Sequence, residues 1–149
     1  MVEFAIVLPV LILIILGILY FGRYENYSNQ ETQMAEQGTR QAAVNVNPGT
    51  SPTTLQQFIK QQASGELQNG SGDVSSSATV YIYYPTGSTG AVGQPVRACV
   101  VATAQLPFLG TSIKIVQSAE MRVEVARTAA VWTNDATATA STAGCPTSS

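Results

Sequence analysis

The sequence predicts an α+β protein in which a long N-terminal hydrophobic helix packs on an antiparallel β-sheet head that carries a short extra helix. Three observations predict it. Residues 4–21 hold no charge and almost nothing polar, the polar stretch behind them keeps apolar side chains at three- and four-residue steps, and beyond residue 77 the hydrophobic period changes to two. The 149 residues allow one modest domain with an appendage. We divide them into a helix over 1–47 (an apolar half, 1–22, and an amphipathic half, 23–47), an α+β head over 48–133 and a tail over 134–149.

As a helix, residues 4–21 would be ~27 Å long, close to the hydrocarbon thickness of a bilayer. The main competing reading, a cleavable secretory signal, usually has a shorter apolar region between basic residues and a small-residue cleavage site. No basic residue precedes Val2, and the run closes on Leu19, Tyr20, Phe21, Gly22, Arg23 and Tyr24, an interfacial aromatic belt followed by a cation. Glu3 sits at the mouth of the run. A carboxylate there is costly unless paired, which makes an α-amino group its candidate partner; the alternative is that Glu3 lies at headgroup depth in water. Pro9 removes a backbone donor and acts either as a harmless kink or as a hinge.

Past Arg23 the helical spacing continues through Tyr24, Tyr27, Met34, Ala35, Gly38, Ala42 and Val46, and Asn47-Pro48-Gly49 stops it. The heptads are too irregular for a coiled coil. Ser51 then reads as an N-cap with Pro52 at the first helical position, and Leu55, Phe58, Ile59, Gln62, Ala63 and Leu67 give a short amphipathic helix. Residues 69–77 are a loop by composition. Residues 78–84 read as a strand closed by Pro85, 86–94 as a Gly-rich turn and 95–106 as a second strand. A third strand, 112–126, places Ile113, Ile115, Ala119, Met121, Val123 and Val125 on one parity, with Lys114, Ser118, Glu120, Arg122 and Glu124 on the other. Short connections favour an antiparallel sheet with one face on the core, covered by the helix's outer half, and one facing water. Residues 128–133, with Trp132, extend the last strand or add an edge strand, and the Ala/Thr/Ser tail from Asn134 would be disordered on its own.

Composition argues against most chemistry. Seven Lys and Arg against nine Asp and Glu give a net charge of −2, with no basic patch for nucleic acid. The absence of His removes the commonest general base and zinc ligand. No phosphate-binding loop is present. Glu120 and Glu124, with Arg122 between them, read as a cross-strand charge ladder rather than an acid/base pair. An enzyme is the least favoured class, and no cofactor or metal is expected. Asn26-Tyr27-Ser28 and Asn69-Gly70-Ser71 fit a glycosylation sequon, a short pattern that also arises by chance. In a non-cytoplasmic setting Cys99 and Cys145 would form a disulfide contributing ~3 to 4 kcal/mol. The alternative is a buried Cys99 thiol and a free tail thiol.

Two segments resemble the TadE-like family, pilin-like or pseudopilin proteins of bacterial tight-adherence (Tad) secretion and pilus systems. Val2-Glu3-Phe4-Ala5-Ile6-Val7-Leu8-Pro9 is similar to the family's N-terminal signature, and Ser118-Ala119-Glu120-Met121-Arg122-Val123-Glu124 to its C-terminal strand motif. The resemblance implies a pilin-like fold, a precursor cut by a prepilin-type peptidase, a helix held in the inner membrane, and later assembly through that helix. Its acidic residue maps onto Glu3. In pilin-like proteins this glutamate commonly lies five residues into the mature chain, so with Glu3 at the third position either the cut is displaced or two residues fall outside this numbering.

From physics and resemblance together, the expectation is an extracellular filament of identical subunits that supports surface attachment. Its assembly residues would be Met1, Glu3, Phe4 and Pro9, with Glu3 paired to a neighbouring subunit's N-terminal amine. Expected partners are those subunits, the inner membrane before assembly, the prepilin peptidase and the pilus assembly machinery, with no nucleic acid and no cofactor. Two alternatives stand beside it. One is a single-pass anchor displaying an adhesin domain with Tyr81, Tyr83 and Tyr84 as an exposed contact patch; the other is a transient secretion pseudopilin outside the main filament.

Overall fold

The computed structural model describes residues 2–85, 90–106, 110–126, 131, 132 and 145, with side chains from residue 7 onward. In chain order the elements are α1 (Val2–Ala43), α2 (Leu55–Gln61), α3 (Gly65–Asn69), β1 (Val74–Tyr83), β2 (Pro95–Leu106) and β3 (Thr111–Arg122). The strands form one antiparallel sheet in the order β1-β2-β3, and α1 packs across it. This is the α+β architecture the sequence predicts.

Helix α1 buries Tyr27, Glu31, Met34, Ala35, Gly38, Thr39, Ala42 and Ala43, a stripe at three- and four-residue steps. Small residues along it let helix and sheet approach closely. A Cβ added at Gly38 would lie 3.0 Å from Ile59 Cδ1 and 3.4 Å from Ala98 Cβ. The helix ends at Ala43, short of the expected 47. Asn45 takes a left-handed φ of 53°, the Val46 N–H donates to Gln41 O and the Asn45 N–H to Ala42 O. That is a Schellman-type ending, with Asn in the position usually given to Gly. The Ala43 carbonyl then accepts from the N–H groups of Glu124 and Val125, which stitches the helix end to the chain leaving β3.

Helix α2 starts three residues later than Pro52 suggested, because Thr54 and Gln57 form a reciprocal capping box; Ser51-Pro52 is a cis peptide bond ahead of the helix. The apolar run read as one helix is two. The break at 62–64 is supported by Gln68 Nε2, which donates to Gln61 O and Ala63 O, and Leu67 anchors α3 in the core. Gly70 caps α3 at φ 67°, where a Cβ would fall 2.6 Å from Ser77 N, so α3 ends pressed against the β1 backbone. Strand β1 begins at Val74, inside the predicted loop. Its serines join the ladder through two register irregularities, and Ser75 Oγ donates to Thr103 O.

Both faces of β2 are covered. Val96, Ala98, Val100, Ala102 and Ala104 join the core under α1, whereas Cys99 and Val101 pack on the opposite face with Tyr83, Cys145 and the partly buried Tyr81. The expectation of a wholly wet second face is therefore corrected: a small apolar layer sits there. Strand β3 stops at Arg122 and not 126. Ile115 and Val123 from the predicted parity are buried, while Ile113 and Met121 remain substantially exposed at this sheet edge. Trp132 is buried against Tyr84, ring centroids 5.2 Å apart, with Val131 O accepting from Leu55 N–H. These two residues lie in a bend rather than a strand. Most of the expected 128–133 strand and all of the 134–149 tail except Cys145 fall outside the described residues.

Candidate membrane-insertion and assembly surface

The first half of α1 makes no core. Each residue from 7 to 15 is exposed, as are Ile18, Leu19 and Phe21, with Leu13 and Ile18 at 66 %. A run of Val, Leu and Ile this long has no counterpart on the surface of an ordinary soluble domain. By length and composition the helix can cross a membrane. Pro9 is exposed within it, and the helix continues past it. The backbone places Glu3 and Phe4 in the first turn, where the positive end of the helix dipole favours an acid. Their side chains, and Met1 altogether, lie outside the described residues.

Where the apolar half ends, two polar links fasten α1 to the head. Arg23 pairs with Asp73 just ahead of β1, and Tyr27 Oη donates to Glu66 on α3. Burial first, and then the Glu66 carboxylate, push the Tyr27 phenol up to about 12. Asn26 and Asn69, the two sequon asparagines, are both exposed and line the groove beside these links. Further along, Gln117 Nε2 donates to Ser28 Oγ (2.9 Å), and Thr39 Oγ1 donates to both Ala35 O (2.7 Å) and Ala119 O (3.1 Å).

Among the residues the sequence reading passed over, Glu31 stands out. It is fully buried, neither carboxylate oxygen has a hydrogen-bond partner among the described residues, and burial raises its carboxyl to about 8. Its signal was its spacing: four residues from both Tyr27 and Ala35, it falls on the core stripe.

Cys99 and Cys145 are disulfide-bonded, with Cα atoms 5.7 Å apart. The bond holds one point of the tail on the β1–β2 face opposite α1. Glu120 makes a cross-strand contact, accepting from Arg97 Nε at 3.0 Å, while Arg122 donates instead to Gly93 O (3.1 Å). Glu124 lies beyond the strand, so the expected ladder reduces to one pair. The tyrosine patch is also corrected. Tyr81 and Tyr83 share the face that carries the disulfide, where Tyr83 is buried and Tyr81 partly so, and Tyr84, just past β1, packs on Trp132 in the main core, because the sheet is covered on both sides.

These features define a head fused rigidly to a helix that can enter a bilayer. Residues 1–43 match the protein-family model described as TadE-like protein. The match spans all of α1 and bears out the resemblance carried by residues 2–9, while the head and the 118–124 motif lie beyond it. No curated protein and no solved structure matches the chain. An apolar N-terminal helix together with a Tad-associated family points to a membrane-anchored component of the cell envelope.

Proposed function

We propose that this chain is a structural, non-catalytic subunit of a Tad-type pilus. Helix α1 holds it in the inner membrane until assembly, when the apolar halves of identical subunits bury against one another and the heads coat an extracellular filament that serves surface attachment. The observation that carries the reading is the exposed apolar surface over 7–21, continuous with the helix that forms the head's core and contained in the TadE-like match. On this reading a prepilin-type peptidase creates the mature end, and Glu3 pairs with the N-terminal amine of a neighbouring subunit, which offsets the carboxylate's desolvation. Phe4 and Pro9 lie in the same buried helical core.

The test is electron microscopy of material sheared from cells, with N-terminal mass spectrometry on the same sample, for wild type and Glu3→Ala. Filaments containing the chain in wild type and missing in the variant are expected. Filaments that lack the chain would leave it a transient pseudopilin. A monomer confined to membranes and indifferent to the substitution would leave an anchored display domain.

A further inference from the structure

The two ends of the sheet differ in chemistry. The connection between β1 and β2, at the end carrying Tyr84 and Trp132, is polar and Gly-rich (Thr86-Gly87-Ser88-Thr89-Gly90). The connection between β2 and β3, at the opposite end, reads Leu106-Pro107-Phe108-Leu109-Gly110. Hairpin connections in water favour Gly, Asn, Asp and Ser.

The described residues flanking this connection show what is nearby. Leu106 and Ile113 line one narrow cleft with Tyr20, Arg23, Tyr24 and Asp73, so this end of the sheet stands level with the turns of α1 where the apolar half gives way to the polar half. Ile113 keeps 39 % of its surface exposed. Leu106 lines the same cleft as Tyr20 and Arg23, which puts this end of the sheet beside the end of the apolar run. A bilayer's headgroup layer adds roughly 5–7 Å on each side of the hydrocarbon. With α1 inserted to its aromatic belt, the cleft that holds Leu106 and Ile113 stands level with that layer.

We propose that Leu106 and Ile113, where β2 ends and β3 begins, form a second membrane contact, seated at the headgroup–hydrocarbon boundary of a lipid bilayer beside the point where α1 emerges. The occupant follows from continuity: Leu106 and Ile113 share one cleft with Tyr20 and Tyr24, whose turns carry on into the exposed apolar surface of the helix, and the Arg23–Asp73 pair lining the same cleft suits headgroup depth. Tyr side chains suit this boundary, and exposed Lys114, one residue beyond Ile113, can reach lipid phosphates with its long stem. Two contacts fix the tilt and rotation of the head on the membrane, which one helix alone leaves free.

The inference rests on insertion of α1, so the experiment tests the two separately. Leu106→Trp, Ile113→Trp and Ile12→Trp are each reconstituted as full chains in phosphatidylcholine vesicles, with acyl chains brominated either near the headgroup or near mid-chain. Trp132 is buried at the far end of the sheet and supplies an unquenched wild-type background. Ile12→Trp should lose emission most strongly to mid-chain bromines. Leu106→Trp and Ile113→Trp should shift to the blue on vesicle binding and lose emission most strongly to the shallow bromines. Quenching of Ile12→Trp with neither head variant quenched overturns the inference and leaves insertion standing. So does a change in the head variants that follows protein concentration and not lipid, since that places a second copy on this surface. An unquenched Ile12→Trp removes insertion itself, and the inference with it. Having two head positions guards against one substitution disturbing the fold.

Discussion

Glu31 makes the stability of the head depend on pH in a direction opposite to that of a salt-bridged acid. The sheet positions packed under α1 are Val96, Ala98, Val100, Ala102 and Ala104 from β2 and Ile115 and Ala119 from β3, none of which titrates. The polar links at Arg23–Asp73 and Tyr27–Glu66 lie toward the membrane end of the helix. Burial alone raises Glu31 from 4.5 to about 8. At low pH the carboxyl is protonated in both folded and unfolded chains and has no effect on the balance. As pH rises past 4.5 the unfolded chain gives up its proton while the folded chain keeps it, so stability falls until about pH 8. From pH 5 to pH 7.5 is about 2.5 units at ~1.36 kcal/mol each, so the cost of holding Glu31 in the core grows by about 3 kcal/mol.

Glu31→Gln keeps the shape and abolishes the ionisation. The buried amide carries its own desolvation cost of roughly 1–3 kcal/mol, but that cost does not change with pH. The signature is therefore the slope. In urea titrations of the full chain in non-ionic detergent, followed by the fluorescence of the single Trp132, wild-type stability should drop by about 3 kcal/mol more than that of Glu31→Gln between pH 5 and pH 7.5. Parallel pH profiles for the two proteins would refute the argument, since they would mean that Glu31 reaches water or a partner in the folded chain.

Two further substitutions probe the packing. Cys99→Ser opens a loop with a sequence separation of 46, which the chain-entropy relation values at about 4 kcal/mol, so its urea midpoint should fall to that of reduced wild type; a midpoint unchanged by reductant in wild type would contradict this. Gly38→Leu drives a side chain into Ile59 and Ala98 and should cost about 1–3 kcal/mol or more by thermal unfolding, whereas the same change at the open Gly17 should leave the head's midpoint unaltered.

The parts of this fold that were legible in sequence are those where one period dominates. The apolar run declares a helix, the stripe of Tyr27, Met34, Ala35, Gly38 and Ala42 declares a helix and its inward face, and the alternation around Ile113 and Ile115 declares a strand, of whose expected inward residues Ile115 and Val123 are buried. What stayed hidden depends on tertiary partners. Ser75–Ser77 resemble a loop by composition, yet they are strand because Thr103 O and the α3 cap meet them there. Pro52 looked like a helix start until Thr54 and Gln57 supplied a reciprocal cap. Tyr83 looked exposed because β-sheet alternation says nothing about whether the tail returns to cover the second face. Glu31 shows the limit most clearly: an acid in a polar stretch carries no mark of burial other than its position on a stripe. The Glu3 end of the candidate surface was legible only through resemblance, since its partner would lie on another subunit.

The helix that would lie in the bilayer and the helix at the centre of the head are a single 42-residue element, ~63 Å long, with no linker between its halves. Tension applied to the apolar half cannot be taken up by a swivel. It arrives along the axis of residues 27–43 and loads their contacts with β2 and β3 in shear, so that many small contacts resist together instead of parting one after another. The hydrogen bonds from Thr39 to Ala119 and from Gln117 to Ser28, together with the Glu124 and Val125 links to Ala43, run across that shear plane. The small residues that bring helix and sheet close thus also act as a mechanical key: for the helix to slide, Ile59 and Ala98 would have to climb out of the notch at Gly38.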